Sequence, residues 1–336
     1  MNIQENVLLS PYTTFHLGGP ARFFVCVQTI DEAREALAFA AKRSLPVLIL
    51  GGGSNMLIGD RGFPGLVIKM ECCGIEYVEG EGNTTVIAGA GEEWDPFVAQ
   101  MVAKGFWGVE NLSGIPGTVG AAPVQNIGAY GVEAKETIMW VEAIDRESGD
   151  LVRIPNSDCA FGYRSSTFKS KPDRYCIVRV AFSLRTSGTP NLSYKDLREH
   201  FTGDATPSLA AIREFLLATR ARKLPDIRHE GCAGSFFLNP CVSQERASML
   251  ATRYPQLPQY PAPHGVKVSL AWLLDHALDM RGARIGGARL YEQQPLVLVA
   301  DTSATANDVL ALRDVVAKKM RDMFAIEIES EVKIIL

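Results

Sequence analysis

The sequence predicts an α+β fold divided into two or three domains. The chain has 336 residues, which exceeds the size at which one hydrophobic core usually stops growing. Strand-like and helix-like segments follow one another irregularly in the first half, without the regular alternation of a parallel α/β sheet. Amphipathic helices become prominent after residues 190–210, and we place a domain boundary there.

The first part of the chain alternates between the two kinds of element. Residues 29–43 carry apolar side chains at helical spacing behind a threonine and an aspartate, which favour the start of a helix. "LPVLIL" (45–50) predicts a buried strand, and "LVIKM" (66–70) predicts another. A strand at 84–91 and a helix at 94–105 are expected to follow.

The middle of the chain contains a long segment, residues 110–131, that is dense in glycine, alanine and proline. No regular element fits its whole length. Residues 139–154 predict two strands joined by a turn at Ser148 and Gly149, and residues 175–184 predict a further strand.

The last part of the sequence continues with strong periodic patterns. Helices are predicted at 207–225, 243–254 and 304–324, and strands at 295–301 and 325–336. In the last strand the charged residues Glu327, Glu329, Glu331 and Lys333 would share one face.

Composition and charge exclude several classes of function. Hydrophobic residues make up 47% of the chain and the formal net charge is -4, which gives no electrostatic reason to expect nucleic acid as a partner. The N-terminus has no signal-peptide pattern and no apolar run is long enough to cross a membrane, so we expect a cytoplasmic protein. Seven cysteines without C-x-x-C pairs indicate reduced thiols, and no set of histidines and cysteines has the spacing of a metal site.

Three glycine-containing segments could hold a phosphate, because glycine lets backbone N–H groups approach an anion. "GAGEEW" (89–94) follows a strand and opens a helix, but Trp94 stands where a dinucleotide-binding fingerprint needs its third glycine. "GGGSN" (51–55) is the better candidate, with a tight turn as the alternative. The segment 110–131 leaves the backbone nearly bare over a length suited to a flat ring such as an isoalloxazine, with a disordered linker as the alternative.

Three side chains are candidates for chemistry, and each has a structural alternative. Arg164 lies among aromatic and hydroxyl side chains that suit a carboxylate-binding guanidinium, but it could equally be a surface arginine. Glu331 could simply belong to a solvated strand face. Ser235, in "GCAGSFFLNP", lacks the histidine and aspartate pattern of a hydrolase, so it is either a buried packing residue or a proton donor in a dry pocket.

Six motifs, in this order, resemble those of the UDP-N-acetylenolpyruvoylglucosamine reductase family (MurB). They are "YTTFHLGGPA", "GGGSNMLI", "NLSGIPGTVGAAPVQNIGAYG", "GYRSSTFK", "GSFFLNP" and "SEVKII", and the resemblance extends from Thr13 to Ile335. Members of this family are FAD enzymes of peptidoglycan synthesis. NADPH reduces the flavin, and the hydride then saturates the enolpyruvyl double bond of the substrate to give UDP-N-acetylmuramate.

The resemblance implies a specific domain organisation and cofactor site. Residues 1–70 and 71–205 would be two subdomains of an FAD-binding domain of the vanillyl-alcohol-oxidase (PCMH) type, and residues 206–325 an α+β substrate-binding domain. Residues 326–336 would form a terminal strand that returns to the active site with Glu331. The residues implied to bind FAD are Thr14, Gly51, Gly52, Gly53, Ser54, Asn55, Met56, Ser113, Ile115, Pro116, Gly117, Thr118, Gly120, Ala121, Gln125, Asn126, Gly128, Ala129 and Tyr130.

The resemblance also implies the roles of individual residues. Ser235 matches the proton donor, Arg164 the arginine that binds the substrate carboxylate, and Glu331 the acid of the terminal motif. The residues implied to contact the UDP-sugar substrate are Tyr194, Arg220, Lys223, Asn239 and Gln294, with Tyr194 on a loop that closes over the substrate. Two positions depart from the family pattern: Cys232 stands where relatives often carry Asn, and Ser330 replaces a proline.

Two alternative functions remain open on the sequence alone. One is an FAD-linked oxidase that uses oxygen on the same cofactor fold, and the other is a non-catalytic protein that binds flavin or a nucleotide sugar. The combination of a serine proton donor with Arg164 and Glu331 favours the reductase, for which NADPH is the expected co-substrate. We expect a monomer that needs no metal.

Overall fold

The computed structural model describes residues 1–203 and 205–336 and confirms the predicted mixture of helices and sheets. The strands are, in chain order, β1 Gln4–Leu8, β2 Pro20–Val27, β3 Val47–Leu50, β4 Met56–Ile58, β5 Phe63–Met70, β6 Ile75–Glu79, β7 Asn83–Gly89, β8 Gly128–Ala129, β9 Val132–Glu133, β10 Ile138–Asp145, β11 Leu151–Pro155, β12 Tyr175–Arg185, β13 Gly231–Ser235, β14 Cys241–Val242, β15 Gln259–Ala262, β16 Gly265–Val268, β17 Arg284–Ile285, β18 Ala288–Tyr291, β19 Gln294–Ala300 and β20 Lys333–Ile335. The helices are α1 Ile30–Lys42, α2 Trp94–Ala103, α3 Thr167–Ser170, α4 Lys195–His200, α5 Leu209–Lys223, α6 Gln244–Arg253, α7 Leu270–Trp272 and α8 Ala306–Phe324. Among these helices, none combines the length and the hydropathy needed to cross a membrane.

Backbone contacts divide the chain into two units, and each unit is assembled from segments that are distant in the sequence. The first unit comprises Met1–Val7, Ala21–Gly53 and Pro64–Arg220, and the second comprises Leu8–Pro20, Ser54–Phe63 and Ala221–Leu336. The chain therefore enters the second unit three times.

The first unit contains a four-stranded sheet with the order β1-β2-β5-β3, in which β3 and β5 are parallel. The Thr29 side chain accepts the Glu32 N–H and caps α1, the predicted first helix. Ala33, Ala36 and Ala40 form the buried face of α1, where small side chains allow close packing on the core of this unit. The element pattern predicted for residues 29–50 is therefore confirmed.

The first unit also contains a five-stranded antiparallel sheet with the order β11-β10-β12-β7-β6. The predicted hairpin is formed by β10 and β11, and Gly149 in its turn has φ +82°, a conformation that glycine adopts without strain. The rings of Trp94 and Phe97 on α2 pack against Phe182 on β12, with centroid distances of 5.9 and 5.1 Å. This aromatic cluster anchors α2, whose first residues lie in the candidate site described below.

The second unit is built around the sheet β13-β19-β18-β17 and helix α8. The side chain of Thr305 accepts the Asp308 N–H and the carboxylate of Asp308 accepts the Thr305 N–H, which starts α8 with a capping box. The buried residues of α8 recur at helical spacing: Val309, Leu312, Val316, Met320 and Phe324. Phe15 and Leu57, from the two early segments, belong to the same core.

The C-terminal segment differs from the strand predicted over residues 325–336. Ala325 ends α8 with φ +49°, and only Lys333–Ile335 forms a strand, which pairs in parallel with β4. Before it, the Leu238 N–H donates to the Glu329 carbonyl at 2.9 Å, and the Glu331 N–H donates to the Phe236 carbonyl at 2.8 Å. The segment changes its hydrogen-bond partner along its length, and for this reason it forms a bridge and a short strand rather than one long strand.

Candidate functional site

The three-glycine loop of the first unit is in direct backbone contact with the long glycine-rich segment. A Cβ atom on Gly52 would lie 2.7 Å from the Gly117 Cα, and one on Gly51 would lie 2.5 Å from the Thr118 Oγ1. Real Cβ atoms do not approach other atoms so closely, and because the opposing atom at Gly52 is backbone, that position requires glycine. Gly53 follows in the left-handed region, with φ +62°. Two segments separated by more than sixty residues of sequence therefore form one surface of bare main chain.

The "GAGEEW" segment is hydrogen-bonded to the backbone of this surface. Three backbone hydrogen bonds join the two segments. The Gly120 N–H donates to the Ala90 carbonyl at 3.0 Å, the Val119 N–H to the Glu92 carbonyl at 2.8 Å, and the Trp94 N–H to the Gly117 carbonyl at 3.0 Å. A Cβ on Gly91 would lie 2.6 Å from the backbone of Glu71. The glycines of this partial fingerprint are thus explained by packing against neighbouring main chain.

Thr118 provides the test of whether this surface suits a cofactor. Its Oγ1 is buried and has no hydrogen-bond partner among residues 1–203 and 205–336. Leaving a buried hydroxyl unsatisfied costs stability, so a bound group that accepts or donates a hydrogen bond would complete the site. A cradle of glycines with one unpaired buried hydroxyl fits the phosphates of FAD.

Other members of the glycine-rich segment hold the segment in place. The Ser113 hydroxyl donates to the Glu110 carbonyl at 2.6 Å. The Asn126 side chain, with φ +46° in its backbone, donates to Glu133 at 3.0 Å and to the Gly162 carbonyl at 3.1 Å, and it accepts the Lys135 N–H at 2.9 Å. The structure therefore shows scaffold contacts for both residues, and their proposed cofactor contacts stay a prediction.

Tyr130 and Tyr194 lie against each other in the first unit. Their rings meet edge to face with centroids 5.2 Å apart, and the Tyr194 side chain is exposed. The Asn111 amide donates to the Tyr130 carbonyl at 3.0 Å and to the Asn191 carbonyl at 2.9 Å. Asn111 thereby connects the predicted cofactor segment with the predicted substrate loop.

Two groups that contact the glycine segments were not singled out from the sequence. The Lys69 ammonium donates to the Gly51 carbonyl at 2.9 Å. Asp95 forms a two-point ion pair with Arg213, at 2.6 and 2.8 Å, and also accepts the Gly114 N–H at 2.5 Å. Lys69 is the next-to-last residue of the predicted strand 66–70 and Asp95 is the second residue of the predicted helix 94–105, and these positions are the sequence signals that could have identified them.

The ionisation of Asp95 follows from these contacts. Partial burial opposes the charged form, but the hydrogen bonds from Arg213 and from the Gly114 N–H outweigh it and hold the Asp95 pKa below its usual value. Asp95 is therefore a carboxylate at neutral pH, and it can accept all three hydrogen bonds at once.

Arg164 lies in the first unit on a tight turn. Its backbone has φ +51°, which a residue with a side chain rarely adopts, and its Nη2 donates to the Gly128 carbonyl at 2.6 Å. The Ser166 side chain begins α3 by accepting two N–H groups and also donates to the Val124 carbonyl at 2.5 Å. The half-buried guanidinium is thus held against the glycine-rich segment instead of extending into solvent.

Ser235 and Glu331 lie on adjacent backbone segments of the second unit. Ser235 follows a bulge in β13, where Gly234 has φ +71° and two residues face one residue of β19. The next residue, Phe236, accepts the Glu331 N–H at 2.8 Å. Phe236 and Phe237 are fully buried, whereas Ser235 and Glu331 are half-buried. The backbone segments that carry the predicted proton donor and the predicted acid are therefore neighbours in the structure.

The other predicted residues of the second unit are distributed over several elements and loops. The Thr14 hydroxyl donates to the Cys232 carbonyl at 2.6 Å, and the Asn55 amide donates to the Glu331 carbonyl at 3.3 Å. Met56 begins β4, and Gln294 begins β19. The Asn239 side-chain oxygen accepts the Leu270 N–H, the first N–H of α7, at 2.9 Å. Lys223 is the last residue of α5.

Comparisons with known proteins agree over almost the whole chain. Residues 21–155 match the FAD binding domain family, and residues 226–335 match the family of UDP-N-acetylenolpyruvoylglucosamine reductase C-terminal domains. The UDP-N-acetylenolpyruvoylglucosamine reductase of Neisseria gonorrhoeae is 43% identical, over 96% of this chain and 94% of that protein. The Pseudomonas aeruginosa enzyme of the same name is 41% identical, over 98% of each chain.

A solved structure shares the fold. The crystal structure of UDP-N-acetylenolpyruvylglucosamine reductase (MurB) from Thermus caldophilus superimposes with a TM-score of 0.70 and 24% identity, covering 100% of both chains. The predicted α+β architecture with an FAD-binding part is confirmed by this likeness and by the family match over residues 21–155.

Proposed function

Because the chain belongs to the UDP-N-acetylenolpyruvoylglucosamine reductase family, we infer that it is an FAD-dependent reductase of peptidoglycan synthesis. It converts UDP-N-acetyl-3-O-(1-carboxyvinyl)-glucosamine into UDP-N-acetylmuramate with NADPH as the reductant. The observation that carries this conclusion is the 43% identity over 96% of the chain to a reductase of that name. Neither the FAD-linked oxidase nor the non-catalytic binding protein is favoured, since the matched relatives are reductases.

FAD is the cofactor, and when bound it takes a hydride from NADPH and supplies it to the enolpyruvyl group. We propose that this chain holds FAD with the residues that the family resemblance implies, from Thr14 to Tyr130. The bare main chain at Gly51, Gly52 and Gly117 and the unpartnered Thr118 hydroxyl support this assignment.

We propose that Arg164 binds the carboxylate of the substrate. Reduction at the terminal carbon of the enolpyruvyl group pushes negative charge onto this carboxylate, and a guanidinium stabilises the resulting enediolate by charge-assisted hydrogen bonds. The hydrogen bond from Nη2 to Gly128 and the constrained backbone of Arg164 support the proposal, because they fix the position of the guanidinium before substrate binds.

We propose that Ser235 donates the proton to the carbon adjacent to the one that receives the hydride, and that Glu331 stabilises the same intermediate. A serine hydroxyl is a weak acid, but the intermediate is a strongly basic carbanion equivalent, so proton transfer is favourable once the hydroxyl is aligned. The bulge at Gly234, the buried rings of Phe236 and Phe237, and the hydrogen bond that ties Glu331 to Phe236 support this assignment.

We propose that Tyr194, Arg220, Lys223, Asn239 and Gln294 contact the UDP-sugar. Arg220 and Lys223, close together at the end of α5, supply positive charge for the diphosphate. Tyr194 on its exposed loop is the residue proposed to cover the bound sugar.

The functional division of the chain is also part of the proposal. Residues 1–70 and 71–205 would serve the flavin, residues 206–325 the substrate, and residues 326–336 would carry Glu331 to the active site. The two family matches support the boundary near residue 205, because they fall on either side of it. We further propose that the enzyme works as a monomer in the cytoplasm, and an odd number of cysteines without C-x-x-C pairs supports a reducing compartment.

The role of Ser235 is tested by separating the two half-reactions. Ser235→Ala is expected to leave flavin reduction by NADPH nearly unchanged and to slow reoxidation by the enolpyruvyl substrate by roughly 100-fold or more, because only the second step needs a proton on carbon. Anaerobic stopped-flow absorbance of the flavin measures both rates.

The matched control is Ser248→Ala, which removes a hydroxyl that donates to the Gln244 carbonyl on the exposed helix α6. This control is expected to change neither rate. Equal slowing of both half-reactions by Ser235→Ala would contradict the assignment.

A further inference from the structure

One ion pair of the first unit joins α2 to α5, the helix that carries the proposed substrate residues Arg220 and Lys223. Asp95 is the second residue of α2, and Arg213 lies in the second turn of α5. Their two hydrogen bonds, at 2.6 and 2.8 Å, join residues 118 positions apart, and the Arg213 side chain is only 15% exposed. A two-point contact of this kind fixes orientation as well as distance.

Gly114 is held between the two helices that carry this pair. Its N–H donates to Asp95 at 2.5 Å, and its carbonyl accepts a hydrogen bond from Arg220 Nε at 2.9 Å. It has φ +74°, and a Cβ there would lie 3.0 Å from the Arg220 Cδ and from Leu217. Both hydrogen-bonding groups of one peptide residue are therefore used to fix it against α2 and α5.

Arg213 and Arg220 lie on the same side of α5. They are seven residues apart, which is close to two full helical turns. Anchoring Arg213 to Asp95 therefore fixes the rotation of α5, and the hydrogen bond to Gly114 then fixes the guanidinium plane of Arg220. A guanidinium carries five N–H donors. The hydrogen bond from Nε to Gly114 can therefore orient Arg220 without removing the positive charge that would attract a diphosphate.

We propose that Asp95 and Arg213 are positioning residues that orient Arg220 for the diphosphate of the substrate. The inference rests on the proposed role of Arg220 in substrate binding and extends it to two residues that do not themselves contact the substrate. Asp95 suits this role because a carboxylate accepts the hydrogen bonds of Arg213 and Gly114 simultaneously. In an amide, the NH2 group would replace one of the two oxygens and would face an N–H donor of Arg213 or Gly114 instead of accepting from it.

The first test is Asp95→Asn, with Arg213→Lys as a second variant that keeps the charge but loses the two-point contact. Each is expected to raise the KM for the UDP-sugar about tenfold and to leave kcat within about threefold, because binding and not chemistry depends on Arg220. Calorimetric binding of UDP-N-acetylmuramate should weaken by the same factor, and the flavin content per chain should not change. If Asp95→Asn does not fold, Arg213→Lys alone carries the test.

The matched control is Asp145→Asn. Asp145 is a buried carboxylate at the end of β10 in the same unit, and it accepts two hydrogen bonds from Arg174, at 3.1 and 3.2 Å. Its loss should lower the thermal stability to a similar extent without raising KM. An equal rise in KM in this control would show that destabilisation alone explains the effect, and would overturn the proposal.

A double-mutant cycle with Arg220→Ala distinguishes the inference from the function on which it rests. If Arg220→Ala leaves KM unchanged, the proposed substrate role of Arg220 fails. If Arg220→Ala raises KM and Asp95→Asn raises it further by its full factor in that background, Arg220 keeps its role and the positioning role of Asp95 fails. The proposal requires the effect of Asp95→Asn to disappear in the Arg220→Ala background.

Discussion

At the scale of single residues, the main chain of the glycine loop is held by a charge that the sequence patterns did not reveal. The Lys69 ammonium donates to the Gly51 carbonyl at 2.9 Å. A loop that offers its N–H groups to an anion must direct its carbonyl groups elsewhere, and a lysine on the carbonyl side stabilises that orientation. Lys69 therefore adds positive charge to the surface proposed for the flavin phosphates.

Replacing Lys69 with methionine is expected to weaken FAD binding. Lys69→Met keeps the length of the side chain but removes the donor and the charge, so the FAD dissociation constant should rise about tenfold. Titration of apoprotein with FAD, followed by flavin fluorescence, measures this constant. Lys69→Arg, which keeps a charged donor, should have a smaller effect.

The control for this prediction is Lys318→Met on α8, which removes an exposed lysine paired with Asp322. It should leave FAD binding unchanged. An unaltered dissociation constant in Lys69→Met would show that the lysine does not contribute to the cofactor site.

The residues that were predicted from the sequence and those that were missed differ in a physical respect. Ser235, Arg164 and Glu331 stand in short motifs, so the residues by which they are recognised lie next to them in the sequence. Lys69 and Asp95 act through partners 18 and 118 residues away, and no local pattern reports such distances.

At the scale of elements, the capping box of Thr305 and Asp308 at the start of helix α8 should make the stability of the protein depend on pH. The Asp308 carboxylate accepts the Thr305 N–H at 3.0 Å at the start of the helix. This hydrogen bond, with further ones from the Thr305 hydroxyl and the Gly287 N–H, outweighs the effect of burial and lowers the Asp308 pKa.

Asp308→Asn is expected to lower the Tm at neutral pH and to have little effect in acid. Because the pKa is lower in the folded state than in the unfolded chain, the ionised group stabilises the protein above the unfolded value of about 4. That contribution is lost as the pH falls through the folded-state pKa. The difference in Tm between wild type and Asp308→Asn should therefore be largest near pH 7 and should decrease as the pH falls below about 4.

Calorimetric unfolding at a series of pH values checks this expectation. Asp314→Asn removes an equal charge from a later turn of the same helix and should show no comparable trend. A Tm difference that stays constant down to pH 2 would contradict a contribution from the ionised cap.

Element prediction succeeded where the hydrogen-bond partners are local and failed where they are not. The helices at 29–43, 94–105 and 304–324 were predicted to within a few residues, because caps and apolar spacing lie within the segment itself. The last segment has an alternating pattern over 325–336, but its partners are supplied by Phe236, Leu238 and β4 in turn. Alternation alone does not show where one partner ends and the next begins.

At the scale of the whole molecule, the second unit depends on two early pieces of chain. Phe15 and Leu57 are 1% and 0% exposed in its core, and the backbone of Phe15 lies so close to Gly231 that a Cβ there would be 2.0 Å from the Phe15 carbonyl oxygen. The segment 54–63 also supplies β4, the partner of β20. Sequence-based boundaries treat domains as continuous stretches, and therefore do not reveal this interleaving.

A fragment comprising residues 221–336 is expected not to fold alone. It contains most of the second core but lacks Phe15, Leu57 and β4, and the loss of two fully buried large side chains costs about 2–5 kcal/mol each. Near-UV circular dichroism and urea titration of the fragment measure the outcome. Co-expression with residues 1–220 should restore a cooperative transition, whereas cooperative unfolding of the isolated fragment would contradict the expectation.

The contact between Gly52 and Gly117 bears on how this enzyme could escape an inhibitor. Resistance at a drug target usually arises when a side chain is exchanged for another that repels the compound. A molecule bound on these two glycines would contact main-chain atoms that all amino acids share. A Cβ on Gly52 would lie 2.7 Å from the Gly117 Cα, and Gly117 has φ +124°, which residues with a side chain rarely adopt. A substitution that weakened the binding of the inhibitor would therefore also disturb the surface proposed for the flavin.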